Sequence, residues 1–179
     1  MMATGRVNLF NNNGTSIKSI QVGQTLMSQN SSSINLPIEK VDINNSIVLS
    51  VPLKATIMSA SCCLGSFVNE QTIKLYRSDS NYAIDIYYEI IEFENVKSFQ
   101  TISFSLSSNL VLTYSKEINE VDPNKCLVFL NYRTYKTGDT STSYGESSWY
   151  YTLGTNNIKF NFLNNYMGKN CTAYIVEFN

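Results

Sequence analysis

Apolar and polar residues alternate with a period of two along almost the whole chain. Ile84, Ile86, Tyr88 and Ile90 alternate with Asp85, Tyr87 and Glu89. Ile102, Phe104 and Leu106 alternate with Thr101, Ser103 and Ser105, and Ile158, Phe160 and Phe162 with Lys159 and Asn161. That spacing predicts strands with one buried and one wet face. The pattern breaks at Ser107-Ser108-Asn109 and resumes at Leu110, Leu112 and Tyr114. No stretch carries a sustained apolar stripe at helical spacing. Residues 37–46 and 117–125 read as strand, turn, strand, with turn chemistry at Asp42-Ile43-Asn44-Asn45 and Asp122-Pro123-Asn124.

The pattern also repeats. Ile17-Lys18-Ser19-Ile20-Gln21 returns as Val96-Lys97-Ser98-Phe99-Gln100, a shift of 79. Ile38-x-x-Val41-Asp42 returns as Ile118-x-x-Val121-Asp122, and Ile47-Val48-Leu49 as Leu127-Val128-Phe129, both shifted by 80. Ile73-Lys74-Leu75 returns as Ile158-Lys159-Phe160, and Ile90-Ile91-Glu92-Phe93 as Ile175-Val176-Glu177-Phe178, both shifted by 85. Blocks in one order with a slowly growing offset mark an internal duplication. The expected fold is all-β: two tandem antiparallel β-sandwich or flattened-barrel units of five or six strands each. The expected organisation is a leader over 1–16, repeat 1 over 17–95 and repeat 2 over 96–179. Units so small are marginal alone, so each is expected to pack on the other or on a partner chain. In the leader, Val7, Leu9 and Phe10 run into an Asn13-Gly14 turn signal, which fits either an added edge strand or a frayed terminus. Each repeat ends in a strongly apolar strand, Tyr88 to Phe93 and Tyr174 to Phe178, so trimming residues 174–179 is expected to be costly. Glu92 and Glu177 inside those strands read as outward, solvated carboxylates, with pairing to Lys18 or Lys97 as the alternative.

Composition narrows the chemistry. Charged residues make up 15% of the chain, with net charge −1 and a pI of about 5.4. Asn, Ser and Thr take their place, a surface common on proteins that assemble and on lectin-like ones. Without a basic run, sequence-independent nucleic-acid binding lacks its electrostatic basis. No apolar run reaches membrane-spanning length, and the N-terminal residues lack the apolar core of a signal peptide. The expectation is therefore no nucleic acid, no membrane span and synthesis in a cytoplasm. With no histidine, triad-type nucleophiles and His-ligated zinc are excluded. No phosphate-cradling glycine loop occurs. The acidic residues Asp79, Asp85, Glu89 and Glu92 follow from strand alternation, and Asp139 with Glu146 or Asp79 with Asn81 matches no calcium-loop spacing. Cys62, Cys63, Cys126 and Cys171 read as reduced thiols acting as small hydrophobes. The expectation is a protein without enzymatic activity, cofactor or metal.

One segment, present in the second repeat only, has recognition chemistry. Residues 131–151 hold the single Trp and five Tyr among Gly, Ser, Thr and Asp. Rigid amphipathic rings among adaptable polar residues suit a binding surface. The candidate ligand or partner residues are Tyr132, Arg133, Tyr135, Asp139, Tyr144, Trp149 and Tyr150. Rings would stack on a sugar, with Asn131, Arg133 or Asp139 meeting its hydroxyls. The competing reading is a long hairpin covering the sandwich or a neighbouring chain. The first repeat has the small, apolar run Ser59-Ala60-Ser61-Cys62-Cys63-Leu64-Gly65 there, which reads as buried or interfacial.

The shared pattern is Lys18-Ser19-Ile20-Gln21, Val41-Asp42, Asn45-Ser46-Ile47-Val48 and Ile90-Ile91-Glu92-Phe93. Its counterparts are Lys97-Ser98-Phe99-Gln100, Val121-Asp122, Asn124-Lys125-Cys126-Leu127-Val128 and Ile175-Val176-Glu177-Phe178. The pattern resembles a family of small β-rich structural proteins encoded among bacteriophage and prophage tail or virion genes. Val22-Gly23 and Thr101-Ile102 stand where that family tends to carry Arg-Gly after the Gln. The resemblance implies a tail, fibre, collar or capsid-decoration component on the virion exterior, assembled with other virion proteins. A homo-oligomer is expected, with a trimer favoured because it would present six similar modules to a six-fold ring. The alternative is a carbohydrate-binding module that attaches a particle to a host surface glycan through residues 131–151.

Overall fold

The computed structural model describes residues 5–7, 17–54, 63–77, 80–106, 112–135, 149–162 and 168–179. All regular structure among them is strand, apart from two single turns of 3-10 helix. The chain divides after Val96 into two compact units. Unit 1 holds β1 (Gly5–Val7), β2 (Ile17–Met27), β3 (Ser33–Pro37), β4 (Ser46–Lys54), β5 (Cys63–Asn69), β6 (Thr72–Arg77) and β7 (Ile84–Phe93). Unit 2 holds β8 (Ser98–Leu106), β9 (Thr113–Glu117), β10 (Cys126–Tyr135), β11 (Trp149–Leu153), β12 (Asn157–Phe162) and β13 (Gly168–Glu177).

Each unit is two antiparallel sheets enclosing one core. In unit 1 the strand orders are β1-β2-β7-β4 and β3-β6-β5; in unit 2 they are β10-β13-β8 and β11-β12-β9. Apart from β1, the two topologies are the same. The registers match as well. Ser19 lies opposite Glu92 and Ser46 opposite Glu92 in unit 1, as Ser98 and Cys126 lie opposite Glu177 in unit 2. The alternation of apolar positions sets this register, because a slip of one residue would turn every core side chain outward. Met27, Val48, Ile84, Ile86, Tyr88 and Ile90 of one sheet thus meet Leu36, Cys63, Ile73 and Leu75 of the other. In unit 2, Ile102, Phe104, Cys171, Ala173 and Ile175 meet Ile158, Phe160 and Phe162. Aromatic rings carry part of the second core. The centroid of Phe104 lies 4.6 Å from Tyr114 and 4.8 Å from Phe160, inside the range of favourable ring pairs.

The expected strand, turn, strand passages contain one 3-10 turn each, Ile43–Asn45 and Pro123–Lys125. Asp42 and Asp122 cap them by accepting the backbone N–H of Asn44 and Asn124. Of the two readings of the leader, the edge strand holds for Gly5–Val7, which pairs antiparallel with Val22, Gln21 and Ile20. The offset between the units is traceable to two places. Cys63 lies opposite Arg77 and Trp149 opposite Phe162 in the same position, an offset of 149 − 63 = 86. A bulge between Phe67 and Asn69 in β5 then returns the offset to 158 − 73 = 85. The thiols of Cys63 and Cys171 are buried and that of Cys126 is half-buried; all three are thiols rather than disulfides. Burial pushes the Cys171 thiol up to about 12. Cys62 lies outside the described residues.

One core position shows how the two units solved the same packing problem differently. Gly23 lies opposite Tyr88 across β2 and β7; the equivalent pair across β8 and β13 is Ile102 and Ala173. The bulk has moved from one strand to its neighbour. Tyr88 is 1% exposed, and a Cβ on Gly23 would overlap its Cζ and Oη. Its hydroxyl has no hydrogen-bond partner among the described residues. Gly23→Ala is therefore expected to cost about 1–3 kcal/mol of stability in urea unfolding, as overpacking does. Gly23→Ile combined with Tyr88→Ala, the pair unit 2 uses, is expected to be more stable than Gly23→Ile alone. Tyr88→Phe is expected to raise stability by about 1 kcal/mol, since it removes a buried group that bonds only in the unfolded chain.

Candidate functional site

In both units the repeated motifs converge on one buried carboxylate. Glu92 is 3% exposed and Glu177 1%, which corrects the outward, solvated reading of these residues. The alternation that puts Ile90 and Ile175 in the core puts the glutamates two residues on along the same face, at the end of the core. A carboxylate there must be compensated by charge and hydrogen bonds. Lys18 Nζ donates to Glu92 Oε1 at 2.8 Å, Ser19 Oγ to Oε2 at 3.0 Å and the backbone N–H of Asp42 to Oε1 at 3.0 Å. Lys97 Nζ, Ser98 Oγ and Asp122 N–H donate to the same oxygens of Glu177 at 2.8, 3.0 and 2.9 Å.

Each surrounding motif has a place in this arrangement. Gln21 spans the backbone of Glu39, accepting its N–H at 2.9 Å and donating to its carbonyl at 3.1 Å. Gln100 does the same to Asn119 at 2.8 and 3.1 Å. Val41 and Val121 are both 2% exposed, and their N–H groups donate to the carbonyls of Glu70 and Thr155. Ile38 and Ile118 donate to the next carbonyls, Gln71 and Asn156. The Asp42 carbonyl accepts from Ser46 Oγ at 2.7 Å and the Asp122 carbonyl from Cys126 Sγ at 3.2 Å. The chain crossing between the sheets is thus tied to the hairpin turn of one sheet and to the glutamate of the other.

The electrostatics follow the donors. At Glu92, desolvation pushes the carboxyl up, but the hydrogen bonds from Lys18, Asp42 N–H and Ser19, with the lysine charge, together hold it below the usual range. At Glu177 the hydrogen bond from Lys97 is the largest influence and that from Asp122 N–H the next; they hold it at about 2 against desolvation. Glu177 in turn raises the Lys97 ammonium, mainly through the same hydrogen bond. The lysine side chains stay about half exposed, at 48% and 55%. This is a structural clasp: both oxygens of each carboxylate are engaged by hydrogen bonds. Among the described residues, no group of three or more His, Cys, Asp or Glu could hold a metal ion.

The aromatic candidates are spread over two sheets. Tyr132, on β10, is 43% exposed and lies opposite Cys171; Tyr150, on β11, is 56% exposed and lies opposite Asn161. Arg133 and Tyr135 occupy β10 positions opposite Asn170 and Gly168, and Trp149 a β11 position opposite Phe162. Asp139 and Tyr144 lie outside the described residues. In unit 1, Cys63, Leu64 and Gly65 are buried, as their composition suggested, while 59–62 lie outside the described residues. Compared with models of protein families the chain matches none, and no curated protein matches it at a significant level.

The clasp sets a pH dependence. Because the folded chain holds Glu177 at about 2 and the unfolded chain binds its proton near 4.5, the unfolded state takes up protons first as pH falls. The stabilisation from this group is complete above 4.5 and is lost between 4.5 and 2; Glu92 acts in the same direction. Urea midpoints are expected to stay flat from pH 7 to 5 and to fall below that. Glu177→Gln is expected to lower the midpoint at pH 7 and to flatten the acid limb. Lys97→Met is expected to lower the midpoint further, because it leaves the buried carboxylate charged without its largest compensating donor.

Proposed function

We propose that this chain is a non-enzymatic structural building block that works by protein–protein assembly, of the kind found on the exterior of a bacteriophage virion as a tail, fibre, collar or capsid-decoration component. Its synthesis would be in the host bacterial cytoplasm. The observation that carries the assembly reading is the outward face of the larger sheet of unit 1. Leu26 and Val51 point away from the core and are 56% and 55% exposed; on the strand between them Val51 lies opposite Tyr87 and Leu26 opposite Asp85. Leu53, at a bulge in β4, is 50% exposed beside them. Large apolar side chains grouped on one sheet face mark an interaction surface more often than they serve stability. The low charge of the chain supports the same reading, and the resemblance of the repeated motifs to virion proteins supplies the setting.

A homo-oligomer follows from this reading, with a trimer as the favoured form. Light scattering at increasing protein concentration is expected to give a mass above that of the 20.2 kDa chain. Leu26→Lys with Val51→Lys is expected to bring the mass to that of one chain, with stability changed by less than about 0.5 kcal/mol per site. An unchanged mass in the double variant would remove this face from the assembly.

The exposed Tyr132 and Tyr150 favour a second reading, a carbohydrate-binding module directed at a host surface glycan. Glycan binding lost in Trp149→Ala and Tyr150→Ala, with assembly intact, would decide for it.

A further inference from the structure

The duplication lets one place in the fold be compared in two units. In unit 2 a recess of about 470 Å³ lies between β8 of one sheet and the end of β9 of the other, with the first residues of the crossover. Its base is apolar, formed by Ile102 and Ile118; its rim is polar, formed by Thr101, Ser103, Lys116, Glu117 and Asn119. Gln100 joins the two walls, because its amide spans the backbone of Asn119 at 2.8 and 3.1 Å. The offsets of 79 and 80 put Val22, Leu36 and Pro37 of unit 1 at the positions of Thr101, Lys116 and Glu117. Three apolar residues of unit 1 are thus hydrogen-bonding residues in unit 2. Leu36 is 2% exposed and belongs to the core of unit 1, whereas Lys116 at the same strand position is exposed. These polar groups are not spent on the fold. The side chains of Thr101, Lys116, Glu117 and Asn119 make no hydrogen bond or ion pair among the described residues.

We propose that this recess is a binding site for a neutral pyranose sugar. The inference rests on the carbohydrate-binding reading and moves its site away from residues 131–151. A pyranose has a rim of hydroxyls and a face of C–H groups. Ile102 and Ile118 match the face. The rim matches a set of donors and acceptors that includes a hydroxyl, an ammonium, a carboxylate and a side-chain amide, since each sugar hydroxyl both donates and accepts. Lys116 and Glu117 cancel in charge, so the lining suits a neutral sugar better than an anionic or cationic one. The volume falls in the range of small-ligand sites, which combine apolar lining with a few placed polar groups. In unit 1, Val22, Leu36 and Pro37 offer a ligand no side-chain hydrogen bond, so one such site per chain is expected.

The test titrates the isotope-labelled full chain with glucose, galactose, N-acetylglucosamine and lactose, read by amide NMR shifts. At least one of these sugars is expected to give saturable shifts centred on residues 100–103 and 116–119. Thr101→Val combined with Lys116→Leu installs the residues that unit 1 carries at these positions. It is expected to weaken binding at least about tenfold, with the urea midpoint checking that the variant is folded. Glu117→Ala, at an exposed position, gives a second reading and is expected to weaken binding about threefold. Thr101→Ser with Lys116→Arg is expected to keep binding. Absence of saturable shifts with all four sugars would overturn the site, as would unchanged affinity in the first two variants. Shifts that leave the recess amides unmoved and disappear in Trp149→Ala with Tyr150→Ala would overturn the recess while keeping the carbohydrate reading at 131–151.

Discussion

A carboxylate buried at the end of a hydrophobic core is the constraint from which the rest of each unit follows. A charged glutamate at 3% or 1% exposure is tolerable only if its oxygens find donors. The donors come from three separated parts of the chain: the first long strand gives Lys and Ser, the crossover gives the N–H of Asp42 or Asp122, and the last strand gives the glutamate itself. Satisfying the carboxylate therefore fixes the register of the first and last strands and the height at which the chain passes between sheets. Glutamine and valine then hold that crossover in place from either side. Such a clasp specifies a geometry more than it adds stability, because desolvation offsets much of what the ion pair contributes.

What surrounds the clasp is free to change where volume and hydrogen bonds are conserved. Ser46 and Cys126 both donate to the capping aspartate's carbonyl. Gly23 with Tyr88 becomes Ile102 with Ala173. The most radical exchange is Arg77 for Phe162, both buried at the end of the second sheet's central strand. Arg77 spends its guanidinium on the backbone carbonyls of Ser28, Ser31 and Tyr82, tying together the loops before β3 and β7. Its planar fork suits several fixed acceptors at once. In unit 2 an aromatic ring holds that position, within reach of Phe104, by packing alone.

The strands and the duplication were legible because period-two alternation and repeated short blocks are local signals. The burial of the glutamates was misread for the same reason, while the alternative of pairing with Lys18 and Lys97 held. Alternation along a strand of mixed burial does not say which face is the core, and Ile90-Ile91-Glu92-Phe93 is apolar on both sides. Position 92 belongs to the inward row only because Ile84, Ile86, Tyr88 and Ile90 define that row. A signal was present in the joint recurrence of Lys-Ser, Val-Asp and Glu, since residues kept together across a duplication are those whose contacts depend on one another. The cross-sheet role of Ile38 and Val41 had no local signal, because their partners at residues 70–71 are set by the tertiary fold. The aromatic candidates were chosen by composition, which says nothing about register, and the fold puts Tyr132 and Tyr150 on different sheets.

The two units also differ in how they treat their edges. An open strand invites pairing with another chain, and proteins blunt such edges with added strands, prolines and bulges. Unit 1 uses all three on its larger sheet: β1 covers β2, and Pro52 followed by a register shift interrupts β4 on the other side. Proline is tolerated there because β4 is an edge strand. In unit 2 the residue equivalent to Pro52 is Tyr132, and β10 runs from Cys126 to Tyr135 against β13 without a shift. On the opposite side β8 has no strand like β1 among the described residues. The two similar units thus present different outer surfaces. The first covers one edge with β1 and exposes apolar side chains on its outer face, while the second has a more polar outer row at Thr101, Ser103 and Ser105. A face and an edge bind by different physics, one by excluding water from side chains and the other by main-chain hydrogen bonds.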